Sequence, residues 1–482
     1  MNSDSTFYWF DYETFGTHPA WDRPCQFAGI RTDMDLNVIG DPLVIYCKQA
    51  LDYLPHPAAC KVTGITPALA NEKGYIEADF IKQILEQIGK PGTCSVGYNS
   101  IRFDDEFTRH TLFRNFLDPY EHEWKDGNSR WDLLDIVRLT RALRPKGINW
   151  PINEDGSASN RLEHLSVANG IEHSQAHDAM SDVWATIGMA RLIKDTQPRL
   201  FEYAFNHRSK HAVSQLLNTR ERKACLQVSG MIPGRRHHIA PILPLAQHPD
   251  NANSVIVLDL HTNPTELGKL SADEISRRVY QSADSDTHDS FPRPGLRTVQ
   301  INKCPVIVPM ATLRQVDAER LEIDQAKISE HLEIAQSLLD GIPMENIKTA
   351  MSRRWPDEPV DVDGSLYAGT FLSQADKQRL TLIRQCNPQM LSEHAGFFDD
   401  ERLDEMLWRY QARNYPESLS AEQSEQWFEH CKDKLSDESA PWLGFAEFER
   451  VMTETNWKNT ETDVRQSLAD YVSSIQQQVS SS

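Results

Sequence analysis

The sequence predicts an α/β domain, then a small β-barrel-like domain, then an all-helical third. Three observations lead there. Residues 6–190 open with strand-like runs and then alternate strand and helix patterns, the signature of a mixed sheet flanked by helices. Between about 224 and 310 the runs become short and β-rich, punctuated by Pro and Gly. Beyond Trp355-Pro356, helical spacing returns in segments rich in Leu, Trp and Glu. A chain of 482 residues, at roughly 150 residues per domain, has room for three. The predicted limits are 6–190, 198–350 and 353–472, with a polar tail at 473–482 that should fray.

The first domain begins with Thr6–Phe10, an aromatic, strand-prone run; Gln26–Arg31 and Leu43–Cys47 read as further strands. Glu77–Ile88 has helical spacing, and Thr93–Tyr98 is a short strand bounded by Pro91-Gly92. Helices are predicted at Asp105–Phe116, Trp131–Leu143, Leu162–Asn169 and Asp178–Lys194. A helical exit follows over 196–215. In the second domain the strands are Ser254–Leu260, Thr298–Ile301 and Val306–Pro309, followed by a helical stretch from Glu319 to Leu339. In the third, Ser373 stands three residues before Asp376, a helix-capping arrangement leading into Leu380 and Ile383.

Composition narrows the function classes. With 39% hydrophobic and 25% charged residues, the chain is globular rather than disordered or fibrous. No apolar run approaches the ~18 residues that span a bilayer, and Met1–Phe10 lacks a basic region and an apolar signal core, so a cytoplasmic protein is expected. The eight cysteines are scattered without metal-ligand spacing, as befits reduced thiols. A net charge of −20 would repel a polyanion if it were uniform. It is not uniform: residues 203–238 hold seven Lys and Arg against one Glu, whereas 391–440 hold thirteen Asp and Glu against five Lys and Arg.

The chemistry is carried by three pieces. In Phe10-Asp11-Tyr12-Glu13-Thr14 the two acids are two residues apart, so they share one face of a strand. Side by side they repel, and a divalent metal is the usual neutraliser. A second acid follows the Gly97-Tyr98-Asn99 turn, where Asp104 or Asp105 stands at a helix start. The third piece is His177-Asp178-Ala179-Met180-Ser181-Asp182. Five residues of helix turn through about 500°, so His177 and Asp182 would not share a face. His177 is therefore expected on the loop before the helix, Asp178 as its cap and Asp182 in its first turns. A His on a loop beside a metal-binding Asp suits general-base work on water.

Taken together, D-x-E on a first strand, an Asp after a later strand and H-x4-D on a final helix form the DEDDh exonuclease signature. The likeness extends to Asn128–Leu134, Ala142–Pro145 with Gly147–Pro151, Arg161–His164 with Asn169–His173, and Ile301–Pro305. In these runs the chain resembles the bacterial exodeoxyribonuclease I family over nearly its whole length, most strongly before residue 215.

The resemblance implies a ribonuclease H-like exonuclease domain, an SH3-like β-barrel and an all-α domain. It implies processive 3′→5′ degradation of single-stranded DNA to 5′-mononucleotides in repair and recombination. Two Mg²⁺ ions would serve, with Mn²⁺ as a substitute. Asp11, Glu13, Asp104 and Asp182 would form the metal site, with His177 as general base and Glu13 and Arg161 also touching the terminal nucleotide. Arg144 and Tyr203 would contact the acidic tail of single-stranded-DNA-binding protein, and a monomer would suffice.

Residue chemistry adds candidates for a single-strand channel, which needs cations and flat rings. These are Arg109, Arg138 and Arg144, with Tyr120 and Trp124; Trp131 reads as core. Two other functions compete: a ribonuclease or proofreading exonuclease of the same superfamily, and a non-catalytic DNA-binding scaffold. The additional domains weigh against the first, and the intact acids against the second.

Overall fold

The computed structural model describes residues 5–173, 178–281, 293–338, 342–352, 361–369 and 371–480. The chain forms two compact units, both discontinuous in sequence: Met1–Ser129 with His173–Ile187 and Glu358–Ser482, and Arg130–Glu172 with Gly188–Asp357.

The first unit is built on strands β1 (Thr6–Thr14), β2 (Pro24–Thr32), β3 (Val38–Tyr46) and β4 (Thr93–Gly97). Strand β5 (Ser129–Asp132) carries the chain out of it. The sheet order is β3-β2-β1-β4-β5, with β1 antiparallel to β2 and parallel to β4, the mixed sheet that the sequence predicted. Because β1 is central, it is apolar on both faces. Tyr8, Phe10 and Tyr12 pack on Phe27 and on Phe80, Ile81 and Ile84 of the Glu77–Ile88 helix. On the other face Trp9 is fully buried, its indole N–H donating to Thr32 Oγ1 at 2.9 Å. Asp11 and Glu13 continue that second face, opposite Ala28 and Gln26 on β2.

The helical third belongs to the same unit. Trp427, Cys431, Leu435, Leu468, Val472, Ile475 and Val479 share one core with Phe15, Leu54, Cys60 and Ile65. The polar tail predicted at 473–482 is thereby corrected over its described part: the Thr462–Ser480 helix takes in 473–480. The Ser and Gln residues of that stretch fill the wet face, while Leu468, Val472, Ile475 and Val479 form a buried stripe at helical spacing. Ser373 caps the Gln374–Gln385 helix as predicted, accepting the Asp376 amide at 3.0 Å.

A buried ion network also spans this unit. Asp52 is completely buried and receives Arg413 at 2.7 Å and Lys434 at 2.8 Å. Arg413 also reaches Asp363 at 2.5 Å, and Arg409 joins Asp363 at 3.3 Å. Burial by itself raises both carboxyls, but the Arg413 and Lys434 cations outweigh it and hold Asp52 and Asp363 well below the usual range.

The second unit contains an antiparallel five-stranded sheet of order β10-β6-β7-β8-β9. Its strands are β6 (Cys225–Val228), β7 (Ile239–Gln247), β8 (Ser254–Asp259), β9 (Leu296–Gln300) and β10 (Val306–Pro309). Val213, Ile242, Val255, Val257, Val299 and Ile307 fill its core. Two predicted elements change. Trp131–Asp132 ends a strand, and the helix begins at Leu133 with Asp132 as its cap, accepting the Leu134 amide at 3.0 Å. The helical stretch predicted from Glu319 to Leu339 is two helices, Gln315–Arg320 and Gln325–Ser337, separated at Glu322, whose φ is 55°. Trp131 is core as predicted, edge-on to Phe201 and Phe205 at 5.1 and 5.3 Å.

Candidate active site

Asp11, Glu13 and Asp182 converge in the first unit, and each offers a carboxylate oxygen within 4.8 Å of the others. Asp11 and Glu13 come from β1, two residues apart on one face. Asp182 lies in the first turn of the Ala179–Thr196 helix. Asp178 accepts the Ser181 amide at 3.1 Å, so it caps that helix as the sequence predicted. The chain reverses after β4 through Gly97, where a Cβ would lie 2.6 Å from the Ser100 Cβ and 3.1 Å from the Phe10 carbonyl. Asn99 takes a left-handed φ of 70°. The turn delivers Asp104 as the first residue of the Asp104–Arg114 helix.

Of the two adjacent acids, Asp104 is the one tied to the site. Its carboxylate accepts the backbone amide of Tyr12, between the two strand acids, at 3.2 Å. Thr108 donates to the Asp104 carbonyl at 2.9 Å and accepts the Tyr12 hydroxyl at 3.0 Å, locking the helix to the strand. Asp104 stands beside the three-carboxylate cluster rather than within it, yet its charge is felt there. Burial, then Asp104, Glu13 and Asp182 in turn, push the Asp11 carboxyl well above its ordinary range. Burial, then Asp182 and Asp104, push Glu13 up to about 9. A strand pair whose proton affinity is raised by burial and by neighbouring acids calls for a cation. The donors are all hard carboxylate oxygens, the set that Mg²⁺ and Mn²⁺ prefer, so the residues fit the expected metals.

One contact was not anticipated. His173 Nε2 lies 2.5 Å from Asp182 Oδ1, and the imidazole is only 4% exposed. In the sequence His173 stood out only as the end of the Asn169–His173 run. His177 lies outside the described residues.

The channel candidates divide. Trp124 is 64% exposed and lines a cleft of about 1030 Å³ with Lys82, Lys125, Arg384, Tyr410 and Tyr415. Arg109 was expected to meet DNA, but it is buried. It forms a two-pronged pair with Glu123 at 2.6 and 2.9 Å and also donates to Glu106 and Tyr367 at 3.0 Å. Its donors are committed to the protein, so its role is structural. Tyr120 lies under that guanidinium, 5.4 Å from ring centre to charge.

The second unit holds the others. Arg161 is exposed, 3.7 Å from Glu163. Arg138 pairs with Asp135 at 2.6 Å and borders Gly230 so closely that a Cβ there would meet it at 2.9 Å. Arg144, Arg314 and Arg320 gather on the buried Asp317 at 3.3, 2.5 and 3.4 Å, leaving a cationic excess. Arg314 and Arg320 had no sequence signal, because Asp317 lies more than 170 residues from Arg144. Tyr203 stacks on His207 at 3.9 Å and donates to the Ile307 carbonyl at 3.2 Å.

Comparison with known proteins covers the whole arrangement. Residues 8–189 match the family described as Exonuclease, 208–348 the Exonuclease I SH3-like domain, and 360–475 the Exonuclease I C-terminal domain. The chain is 47% identical over 435 residues to exodeoxyribonuclease I of Escherichia coli (strain K12), covering 90% of each protein. It is 45% identical over 442 residues to that of Haemophilus influenzae, covering 90% of this chain and 92% of the relative. A moderately thermophilic exonuclease I from Methylocaldum szegediense superposes with a TM-score of 0.92 at 44% identity, over 98% of this chain and 99% of the other. The E. coli enzyme in complex with a dA16 oligonucleotide gives 0.92 at 44% identity, over 98% and 100%. The zinc-bound form of its single-stranded-DNA complex gives 0.91 at 43% identity, over 98% and 100%.

Proposed function

The chain belongs to the bacterial exonuclease I family and is a single-stranded-DNA exonuclease, and from that premise we propose a two-metal 3′→5′ hydrolysis. Successive 5′-mononucleotides are released processively, in the service of DNA repair and recombination. The observation that carries the reading is the convergence of Asp11, Glu13 and Asp182 within 4.8 Å.

Asp11, Glu13 and Asp182 would hold Mg²⁺, with Mn²⁺ as a substitute, and Asp104, aimed by the Tyr12 amide, would complete the site. Bound there, divalent ions would supply charge stabilisation to phosphodiester hydrolysis. His177 takes the proton of the attacking water. Glu13 and Arg161 orient the terminal nucleotide. Trp124, exposed beside Lys125 on a cleft rim, offers a face for a base to stack on, and Arg138 a phosphate contact. The protein works as a cytoplasmic monomer in three parts, exonuclease 6–190, SH3-like 198–350 and a helical part from 353 that takes in the Thr462–Ser480 helix. No helix among the described residues is long and apolar enough to cross a membrane. Arg144 and Tyr203 receive the acidic tail of single-stranded-DNA-binding protein, a role that the cationic excess around Asp317 supports.

The test uses single-stranded DNA labelled at one end, with Mg²⁺ or with EDTA. The expected result is early, Mg²⁺-dependent release of labelled mononucleotide from the 3′-labelled strand alone. Release from matched RNA but not from DNA would keep the site and overturn the substrate.

A further inference from the structure

The structure assigns His173 a role that the family signature leaves out: we propose that its imidazole positions Asp182 for metal binding. The inference rests on the reading of Asp11, Glu13 and Asp182 as a metal centre. Asp182 is the member of that cluster contributed by a helix, and its backbone is already fixed. Its amide donates to the Asp178 carbonyl at 3.1 Å, and its carbonyl accepts Thr186 Oγ1 at 2.8 Å. Its carboxylate is 21% exposed. His173 presents Nε2 to Oδ1 at 2.5 Å from a ring only 4% exposed, a buried contact that restricts how the carboxylate can turn.

The contact fixes one oxygen of a carboxylate that also lies within 4.8 Å of Asp11 and Glu13. His173 itself stands outside the ligand cluster. It is a positioning residue, touching the ligand and not the metal. Outer partners of this kind fix ligand orientation and typically carry 10–100-fold in metal affinity. The segment that bears it is anchored as well. Within the second unit, Ile171 packs against Gly188 so closely that a Cβ there would meet it at 2.5 Å, and the Ile171 amide donates to the Ser166 carbonyl at 2.9 Å.

The experiment titrates metal-free full-length protein with Mn²⁺ alone by calorimetry, for the wild type and for H173F, H173Q and D182N. H173F keeps the bulk of the ring and loses the donor; H173Q restores an N–H of similar reach. H173F should bind Mn²⁺ about 10–100-fold more weakly, and H173Q should recover most of the loss. The Mg²⁺ concentration giving half-maximal hydrolysis should shift in parallel, with KM for the oligonucleotide unchanged at saturating metal. If H173F does not fold, H173N, too short to reach Asp182, takes its place. Wild-type affinity in the donor-less variant, or H173Q binding no better than H173F, would overturn the positioning role. Failure of the wild type itself to bind Mn²⁺, or undiminished binding by D182N, would instead overturn the metal-centre reading.

Discussion

Asp11 and Glu13 are held in a conflict that a bound proton or a metal cation relieves, and the conflict has opposite effects on activity and on stability. Asp11→Asn should lower hydrolysis by about 10³-fold or more, since charge stabilisation by metals is worth several kcal/mol. The same substitution should raise the melting temperature of the metal-free protein, because one of the mutually repelling acids is gone. Calorimetry with EDTA, set beside a nuclease assay, reads both. The pH dependence follows from Glu13, whose proton is held up to about 9 by burial and then by Asp182 and Asp104. A carboxyl whose pKa is raised by folding contributes its stability below the ordinary value and loses it as pH rises through the folded value. Metal-free protein should therefore melt at progressively lower temperature between about pH 5 and pH 9, and saturating Mg²⁺ should flatten that slope. An unchanged slope with metal would remove the carboxylates as its source. At this scale the D-x-E pair was legible because a strand's period of two fixes which residues share a face. Arg109 was misread because a cation is visible in sequence and its partner is not: Glu123 comes fourteen residues later, across a turn.

Elements were legible where one period dominated. The Glu77–Ile88 helix, with Phe80, Ile81, Ile84 and Ile88 on one face, could be read directly. Strand β7 could not, because Pro241 and Pro244 sit inside it, and proline forfeits a ladder hydrogen bond. The sheet tolerates Pro244 at a register shift against β8, an accommodation that only pairing reveals. The network joining Asp52 and Asp363 to Arg413 was equally hidden, since its members lie more than 300 residues apart in part. Arg413→Ala should cost about 3–5 kcal/mol, leaving two buried carboxylates short of their main cation. Chemical denaturation would measure it. Because Asp52 and Asp363 are held low, their contribution is complete above the ordinary carboxylate range and fades as pH falls through the depressed values. The wild type should lose stability on acidification, and Arg413→Ala should lose less.

For the whole molecule, the sequence marked the sequence of folds and not their grouping. Three compositional regimes were visible along the chain, yet the first compact unit takes in residues from both the exonuclease segment and the helical third. Hydrophobic period shows that a helix has a face to bury and not which distant residues cover it. Ile475 illustrates the point. It lies in a stretch of Ser, Gln and Val, and it packs in one core with Phe15, Leu54 and Cys60. Ile475→Ala should destabilise the protein by about 2–5 kcal/mol, as for other buried large-to-small changes. Urea denaturation would measure it, and a loss below 1 kcal/mol would show that this packing matters little.

That shared core has a consequence for the protein's synthesis. Ribosomes add roughly 5–20 residues per second. Asp11, Glu13, Asp104 and Asp182 have all been made long before Val472, Ile475 and Val479 arrive to close over Phe15 and Leu54. For tens of seconds a nascent chain carries every acid of the site without the core that steadies the end of the strand bearing Asp11 and Glu13. A chain arrested near residue 400 should be protease-sensitive and without nuclease activity. An enzyme that consumes DNA strands would then be switched on only once its helical third had been made.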